Sequence, residues 1–325
     1  MMVRPFWPRV SPNFLACRVA VREFCSARDL GCVAVGLSGG ADSLALTAAL
    51  VAEGIEVTAL CVDHGLQEGS AAQAERAAEQ ARSLGAGARV LRVEVDARAG
   101  ESLEAAARRA RYRAFACFLS GADSGPDNGV LREVAVAHTA EDQAETLLLS
   151  ALRGQVTGML PVTEVEGTRV LRPLLEVRRA QTLGACAELG LKPWQDPHNA
   201  DPGFRRVALR QEILPRLGEI LGGDAVPALA QAAADAAQDN AFLTTAACDD
   251  CAELAAMPEP RRRRALAAWL REHGVEVSRE SIRGVEKLCV DWHGQGPVAV
   301  AGPRGLGQRL EVCRVGGKLA LLPGH

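Results

Sequence analysis

The amino-acid sequence predicts an α/β fold, in which a Rossmann-like parallel sheet with helices on both faces is followed by a smaller, mostly helical domain. Short apolar runs alternate with segments of helical length through the first half of the chain. Strands that alternate with helices in this way are joined by right-handed crossovers into a parallel sheet that helices cover on both faces. After about Pro215 the alternation stops and Ala-rich segments of helical pattern take over.

Each predicted strand ends in a turn and leads into a predicted helix. The strands are short apolar runs, as in a buried sheet, at 32–37, 56–62, 89–95 and 134–137. The helices run from the glycine turn after the first strand to residue 53, and over 70–84, 101–119, 141–152 and 176–189. Further helices are predicted over 224–257 and 261–272, and a small β element over 298–322.

The unassigned start and the change from alternating apolar runs to Ala-rich segments divide the chain into three predicted parts. Residues 1–28 form an N-terminal extension without an assigned role, 29–217 the α/β domain and 218–325 the smaller domain. The net charge of −3 argues against a general nucleic-acid coat protein. That charge is uneven, because residues 1–250 carry 25 cations against 32 anions (−7) and residues 251–325 carry 12 against 8 (+4).

We expect neither a membrane protein nor an exported one. No apolar run approaches the roughly 20 residues that a bilayer-spanning helix needs, and the start lacks an apolar stretch with a small-residue cleavage site. Several of the ten cysteines lie in apolar runs, where a free thiol packs as a small hydrophobe, so a reducing cytoplasm is expected. The one C-x-x-C, Cys248 and Cys251, is interpreted as two thiols on a helix rather than as a metal or redox site.

The strongest signal is a glycine-rich turn directly after the first strand and at the start of the first predicted helix. Its residues in order are Ser38, Gly39, Gly40, Ala41, Asp42 and Ser43. The two glycines permit positive φ and a close approach of the backbone, so the amides of the loop and of the helix start can face an anion. The Gly-Lys-Ser/Thr ending of a Walker A motif is missing. A strand-to-helix turn capped by Ser and Asp is the alternative that spacing alone leaves open.

Asp42 adds chemical detail to this turn. A carboxylate beside phosphates would repel them unless a Mg²⁺ ion lies between, and that ion prefers a carboxylate together with phosphate oxygens. The sequence therefore indicates a phosphate site with Asp42 as a metal ligand.

Polar residues follow two other predicted strands. Asp63 and His64 end the second strand, at the edge where ligands bind in open α/β sheets, although a hydrogen-bonded strand terminus is the alternative. His138 follows the fourth strand, where a lone His is more often structural. Asp142 and Glu145 are spaced i, i+3 on the next helix and share a face, so they could hold an ammonium group and accept its proton. A solvated acidic first turn is the alternative for this pair.

The run Ser-Gly-Gly-Ala-Asp-Ser resembles the S-G-G-x-D-S signature of the PP-loop ATP-pyrophosphatase family. The resemblance implies a Rossmann-like sheet and an enzyme that cleaves ATP between the α and β phosphates. Members transfer AMP to an oxygen of a carbonyl or amide and then displace it with a nitrogen or sulfur nucleophile. It implies that residues 38–43, with Asp63 and His64, contact ATP and that Asp42 binds Mg²⁺.

Four further stretches resemble one branch of that family, the tRNA(Ile)-lysidine synthetases, in a short form. They are residues 61–66, 104–112, 137–146 and 194–215. The resemblance implies that free L-lysine is joined to C2 of the wobble cytidine of a CAU-anticodon tRNA(Ile). An adenylated cytidine is the intermediate, AMP and pyrophosphate are released, and codon reading changes from AUG to AUA.

The resemblance also implies roles for individual residues and parts. His138 contacts ATP or the reacting base, Asp142 and Glu145 hold the lysine, and Arg111 lies near the phosphates, with a surface ion pair to Glu104 or Glu141 as its alternative. The α/β domain becomes the catalytic domain and the smaller domain contacts tRNA. The enzyme is expected in the cytoplasm, with a homodimer as one candidate assembly.

Contacts with RNA are expected from arginine clusters, because arginine binds phosphate bidentately and stacks on unpaired bases. The first cluster comprises Arg205, Arg206, Arg210 and Arg216. A second comprises Arg169, Arg172, Arg178 and Arg179. For a third, at 261–264, a solvated helix face is the alternative.

Two positions depart from the sequence pattern of the family. His198 stands where the family has Ser or Thr, and Val207-Ala208 replaces an Asn-containing segment, which weakens base recognition here but not ATP chemistry.

Three rival functions are open to a protein with this loop. A tRNA thiolase would need a cysteine pair near the ATP site, and a synthetase that uses ammonia would need a glutaminase. A non-catalytic nucleotide sensor would have no use for the Arg111, His138, Asp142 and Glu145 set.

Overall fold

A computed structural model describes residues 7–67, 69–97, 101–121, 131–195, 205–302 and 309–324. The chain forms two compact units, Met1–Ala237 and Gln238–His325. The first contains a six-stranded sheet and the second a three-stranded one. Within the described ranges, no helix is both long and apolar enough to cross a membrane. The domain boundary at residue 217 stays a prediction.

The first unit is organised around its mostly parallel sheet. The strands are β1 Cys32–Gly36, β2 Glu56–Asp63, β3 Gly87–Arg92, β4 Glu133–Ala135, β5 Val162–Val165 and β6 Thr168–Leu171. Their order across the sheet is β3-β2-β1-β4-β6-β5, and β5 runs antiparallel to β6. The order reverses between β1 and β4, which pair in parallel. In open α/β sheets the ligand crevice lies outside the carboxyl ends of the strands at such a reversal.

Helices cover both faces of this sheet. In chain order, the helices up to Leu243 are α1 Pro12–Ser26, α2 Ala41–Ala52, α3 Ser70–Ser83, α4 Leu103–Leu119, α5 Ala140–Ala151, α6 Arg179–Glu188, α7 Arg205–Ala208, α8 Leu214–Leu221 and α9 Val226–Leu243, with a π-helical turn at Leu209–Ile213. Helix α9 begins in the first unit and ends in the second. Side chains of β1 alternate between faces, as a strand requires. Val33 and Val35 join a core with Leu44 of α2, whereas Ala34 packs with Phe115 of α4. The predicted fold class is therefore confirmed.

The second unit combines three helices with an antiparallel sheet. Its elements are α10 Cys251–Ala256, α11 Glu259–Glu272, α12 Arg279–Val290, β7 Val298–Ala301, β8 Arg309–Val315 and β9 Lys318–Pro323. The sheet order is β7-β8-β9. Leu254, Leu266 and Leu288 of the three helices are fully buried with Val312 of β8 in one core, so this unit has an apolar core of its own.

Several elements differ from the sequence prediction. The Ala-rich stretch 224–257 contains two helices rather than one, because the Asp250 side chain accepts hydrogen bonds from the amides of Ala252 and Glu253 and begins α10. The hairpin of β5 and β6 was not predicted. Its strands have four residues each, and Glu166 and Gly167 between them both adopt positive φ.

Helix α1 lies in the segment that the sequence leaves unassigned. Its side chains Phe14, Cys17 and Val21 are fully buried in the core of the first unit. Glu188 of α6 caps this helix, because its carboxylate accepts from the amides of Asn13 and Phe14 at 3.1 and 2.9 Å and from the Asn13 side chain at 2.7 Å. These amides belong to the first turn, where the helix itself offers no acceptor.

Replacing Glu188 by alanine is expected to lower the free energy of unfolding by about 1–2 kcal/mol at neutral pH, the usual effect of losing a helix cap. Burial raises the pKa of Glu188, but the three N–H donors outweigh it and hold that pKa below its ordinary value. The stabilisation is therefore present above the unfolded-state pKa and is lost as pH falls through the folded-state pKa. Urea titrations at several pH values test this, with Glu79→Ala, at an exposed position of α3, as control; a difference that persists in acid would contradict it.

Candidate active site

The phosphate loop, residues 38–43, connects β1 to α2 at the point where the strand order reverses. The Ser38 and Ser43 hydroxyl oxygens lie 3.2 Å apart. The Gly40 amide donates to Ser38 Oγ at 3.3 Å, and Ser43 Oγ donates to the Gly40 carbonyl at 3.0 Å. The amides of the first turn of α2 have no acceptor within the helix, so this compact loop can bind an anion.

Gly39 is required by both conformation and space. Its φ is +81°, a region that residues with a Cβ rarely adopt. A Cβ there would lie 3.0 Å from Gln73 Nε2 and 3.2 Å from the Ala77 methyl, both on α3. The Gly39 carbonyl also accepts from the Trp194 amide at 2.9 Å. The loop backbone is therefore held against two neighbouring segments.

Asp42 belongs to the phosphate loop and lies in the first turn of α2. Its carboxylate accepts a hydrogen bond from the Thr182 hydroxyl and lies 3.7 Å from Arg179 Nη2. Burial raises the pKa of Asp42, and Arg179 only partly offsets that effect. A carboxylate short of positive charge beside a phosphate loop fits Mg²⁺, which takes one or two carboxylates together with phosphate oxygens. No group of three or more His, Cys, Asp or Glu side chains that could hold a metal ion occurs in the described ranges, at Asp42 or elsewhere.

Asp142, in the first turn of α5, has both a structural and an electrostatic role. Its Oδ2 accepts from the Thr139 amide and hydroxyl at 2.8 and 3.0 Å, which caps the helix. Its Oδ1 accepts from Arg179 Nη2 at 3.0 Å. Burial would raise the pKa of Asp142, yet Arg179 and the Thr139 hydrogen bonds lower it overall. Asp142 is thus an ionised carboxylate bridged to Asp42 by one arginine.

Glu145, one turn further along α5, is fully buried. Arg210 Nη2 lies 2.6 Å from its Oε1, and Arg206 Nη1 lies 3.3 Å from its Oε2. Burial and the charge of Asp142 nevertheless raise the pKa of Glu145. The two carboxylates predicted to hold lysine therefore differ, because one is held ionised and the other binds a proton more readily. Arg206 and Arg210, predicted to bind tRNA, lie against the acid pair, and Arg205 is exposed at the start of α7.

Three members of the second arginine cluster pair with carboxylates of the first unit, and RNA contact by this cluster stays a prediction. Arg169 pairs with Glu133 at 2.8 Å, and Arg178 pairs with Glu141 and Asp224. Arg179 joins Asp42 to Asp142, as described above. An arginine in the first turn of a helix is unfavourable next to the positive end of the helix dipole unless an acid pairs with it. Arg178 and Arg179 at the start of α6 are therefore the sequence feature that could have indicated ion pairs with acids of other elements.

The remaining member of that cluster, Arg172 of the β6 end, is only 5% exposed. Its Nε donates to His138 Nδ1 at 3.1 Å. Burial lowers the pKa of His138 to about 4, with Asp142 opposing and Arg172 reinforcing the effect. His138, which follows β4 and is partly buried, is therefore a neutral imidazole next to the acid pair.

The end of β2 contributes a histidine and a turn. Asp63 accepts from the Ser70 hydroxyl at 2.7 Å and from the Gly65 amide at 3.1 Å, which is the hydrogen-bonded strand terminus considered as its alternative. The Ser70 hydrogen bond holds the pKa of Asp63 below its usual range. His64 Nδ1 is buried without a partner among the described residues. Burial and the nearby charge of Arg111 on α4 lower the pKa of His64 to about 4.

The basic run at 261–264, which was predicted to contact RNA, belongs to the second unit. In the second unit, Arg262 and Arg263 pair with Glu286 at 2.8 and 2.9 Å, and Arg264 donates to Asn240. Much of the basic run at 261–264 is therefore paired within its own unit. His198 lies outside the described residues.

Comparisons with known proteins give a consistent family. A PP-loop domain matches residues 16–217, and a TilS substrate binding domain matches residues 250–319. The tRNA(Ile)-lysidine synthase of Corynebacterium diphtheriae is 51% identical over 317 residues, which cover 97% of this chain and 99% of that protein. The enzyme of the same name from Corynebacterium glutamicum is 46% identical over 330 residues, or 97% and 96% of the two chains.

A solved structure, the U34-tRNA thiolase NcsA from Methanococcus maripaludis, is 15% identical and superposes with a TM-score of 0.53 over 74% of this chain and 82% of that one. That likeness supports the fold alone. The phosphate loop at the strand reversal, the acid pair on α5 and the relatives that match nearly the whole chain lead to one conclusion. The chain belongs to the tRNA(Ile)-lysidine synthase family.

Proposed function

We propose that the protein ligates free L-lysine to C2 of the wobble cytidine of a CAU-anticodon tRNA(Ile), with ATP converted to AMP and pyrophosphate. The product would read AUA in place of AUG. The observation that carries the proposal is the joining of the phosphate loop to the acid pair through Arg179, which bonds Asp142 at 3.0 Å and lies 3.7 Å from Asp42. ATP and an amine would thereby be held at one edge of the sheet.

In the first step, the loop amides and the Ser38 and Ser43 hydroxyls hold the phosphates of ATP. The cytidine C2 oxygen attacks the α-phosphorus, a new P–O bond forms, and the bond to the bridging oxygen breaks so that pyrophosphate leaves with the electron pair. Asp42 would hold the Mg²⁺ ion, which supplies positive charge to the phosphates when bound. Arg111, close to His64, would stabilise charge on the departing pyrophosphate.

In the second step, the lysine ε-amine attacks C2, the C–N bond forms, and the C2–O bond breaks with departure of AMP. The amine must first lose a proton. Glu145, whose pKa is raised by burial and by Asp142, is the better acceptor of the two carboxylates, while ionised Asp142 would hold the ammonium form. Lysine would take the place on Glu145 that Arg206 and Arg210 now occupy.

The tRNA would be held by Arg205, Arg206 and Arg210. Two of these guanidinium groups neutralise Glu145 in this structure, so RNA phosphates would compete with that carboxylate for them. The cytoplasmic location and a homodimer stay predictions.

The environment of the cysteines near Asp42 does not favour a tRNA thiolase. Cys17 and Cys186, which lie near Asp42, are buried, and burial raises the pKa of each thiol to about 12. Neutral thiols are poor nucleophiles. The Cys248 and Cys251 pair belongs to the second unit.

One assay tests the proposal against its rivals. The full-length protein is incubated with ATP, labelled lysine and a CAU-anticodon tRNA, with a tRNA that carries uridine at the wobble position as control. We expect lysine to enter only the first tRNA, in a one-to-one ratio with AMP. Sulfur or ammonia transfer without lysine incorporation would contradict the proposal, and nucleotide binding without turnover would favour a sensor.

A further inference from the structure

His138 and Arg172 form a pair whose chemistry fixes the state of the imidazole. Arg172 Nε donates to His138 Nδ1 at 3.1 Å. A guanidinium has donors only and keeps its charge in proteins. Nδ1 therefore carries no hydrogen while this bond exists, and a neutral imidazole must carry its hydrogen on Nε2.

Arg172 is held firmly enough to impose this state. Its Nη1 donates to the Leu160 carbonyl at 2.9 Å and to the Thr163 hydroxyl at 2.8 Å. Its side chain makes no ion pair with any carboxylate in the described part of the chain. A buried guanidinium without a carboxylate partner lowers the free energy of unfolding. We therefore infer that Arg172 serves a purpose beside His138 other than stabilising the fold.

We propose that Arg172 is a positioning residue that holds His138 as a neutral Nε2–H hydrogen-bond donor during tRNA adenylation. His138 would then donate to an acceptor atom, the cytidine C2 oxygen or an α-phosphate oxygen, and would not be the base that deprotonates lysine. This inference rests on the function proposed above. It deepens that function because it leaves the carboxylates of α5 as the proton acceptors.

The surroundings of His138 agree with a neutral ring. Asp142 from α5 favours its protonated form, whereas Arg172 from the β6 end, Arg108 from α4 and Arg206 from α7 disfavour it. Together with burial, the three arginines outweigh the single carboxylate. The ring is therefore expected to stay uncharged from about pH 5 to 8, the range in which an ordinary histidine titrates.

The first test observes the tautomer directly and needs no substrate. The full-length protein is labelled with ¹⁵N-histidine, and the His138 signal among the six histidines is assigned with His138→Gln. We expect an unprotonated Nδ1 and a protonated Nε2 in the parent protein and in Arg172→Lys, which retains a donor-only cation. In Arg172→Met the signals should show a mixture of tautomers. A parent protein with hydrogen on Nδ1 would overturn the proposal.

The second test measures adenylation as a function of pH. Arg172→Met should lower the first-step rate by about 10- to 100-fold, the effect typical of losing the partner that orients a functional histidine. The acidic limb of its pH profile should shift upwards, because the pKa of His138 rises when the charge of Arg172 is removed, although burial still holds that pKa below its ordinary value. Arg172→Lys should recover most of the rate and lack this shift.

Glu164→Gln is the control, because it changes an exposed carboxylate of strand β5 and leaves the hydrogen bonds of Arg172 in place. It should change neither the tautomer nor the profile. If Arg172→Met loses rate but keeps the parent tautomer and pH profile, Arg172 is merely structural and the proposal is wrong. If the expected tautomer is found but no lysine enters tRNA, the proposed function fails while the positioning of His138 stands.

Discussion

An Asp42→Asn variant is expected to lose tRNA adenylation by about 10²- to 10³-fold, the usual effect of removing one electrostatic group from a reacting centre. Asparagine has the same shape, and its carbonyl oxygen can still accept the Thr182 hydrogen bond. What disappears is the negative charge that would hold Mg²⁺ against the phosphates. The measurement is AMP and pyrophosphate release in the presence of tRNA at several magnesium concentrations.

The same variant should not be less stable than the parent. Burial raises the pKa of Asp42, so the folded protein holds its charge at a cost. A melting temperature equal to or above that of the parent would separate lost chemistry from lost folding. Asp249→Asn, which removes a surface partner of Lys318 in the second unit, is the control and should retain full activity. Full-rate adenylation by Asp42→Asn would contradict the metal role.

The sequence predicts most of the sheet because local signals coincide there. The runs that became β1, β2 and β4 are apolar and short, and each is followed by a turn and a helical pattern. The β5–β6 hairpin has no such signal, since its four-residue strands are stabilised by pairing across the sheet rather than by their own pattern. Helix α1 was missed for a related reason, because its cap, Glu188, is distant in sequence.

The charged residues of the site show the same limit, because a local sequence pattern does not reveal contacts between distant segments. The phosphate loop and the acid pair lie within single short segments, so spacing alone places their residues together. Arg172, Arg178 and Arg179 are close in sequence, and as a cluster they suggested a basic surface. The fold separates them, because strand β6 ends next to β4 and α6 begins beside α5. Composition does not distinguish arginines that contact an acid or, in the case of Arg172, a histidine of a distant segment from arginines on the surface.

Glu145→Gln is expected to separate the two chemical steps, in contrast to Asp42→Asn. Adenylation of the tRNA should proceed within a few-fold of the parent rate, whereas lysine transfer should fall by about 10²- to 10⁴-fold, the range for loss of a general base. Adenylated tRNA should therefore accumulate when α-phosphate-labelled ATP is used. Glu212→Gln, an exposed carboxylate in the neighbouring π-helical turn, is the control and should form product without this accumulation.

The arginines around Glu145 add a second readout to this variant. Glutamine can accept a hydrogen bond but cannot neutralise Arg206 and Arg210, so both guanidinium groups would be freer to bind RNA phosphates. We expect the variant to bind tRNA at least as tightly as the parent, with a steeper dependence on salt concentration, because each additional phosphate contact releases counterions. Equal loss of both steps, or weaker tRNA binding, would contradict the assignment, because Glu145 would then act in adenylation or position the arginines rather than accept the proton of lysine.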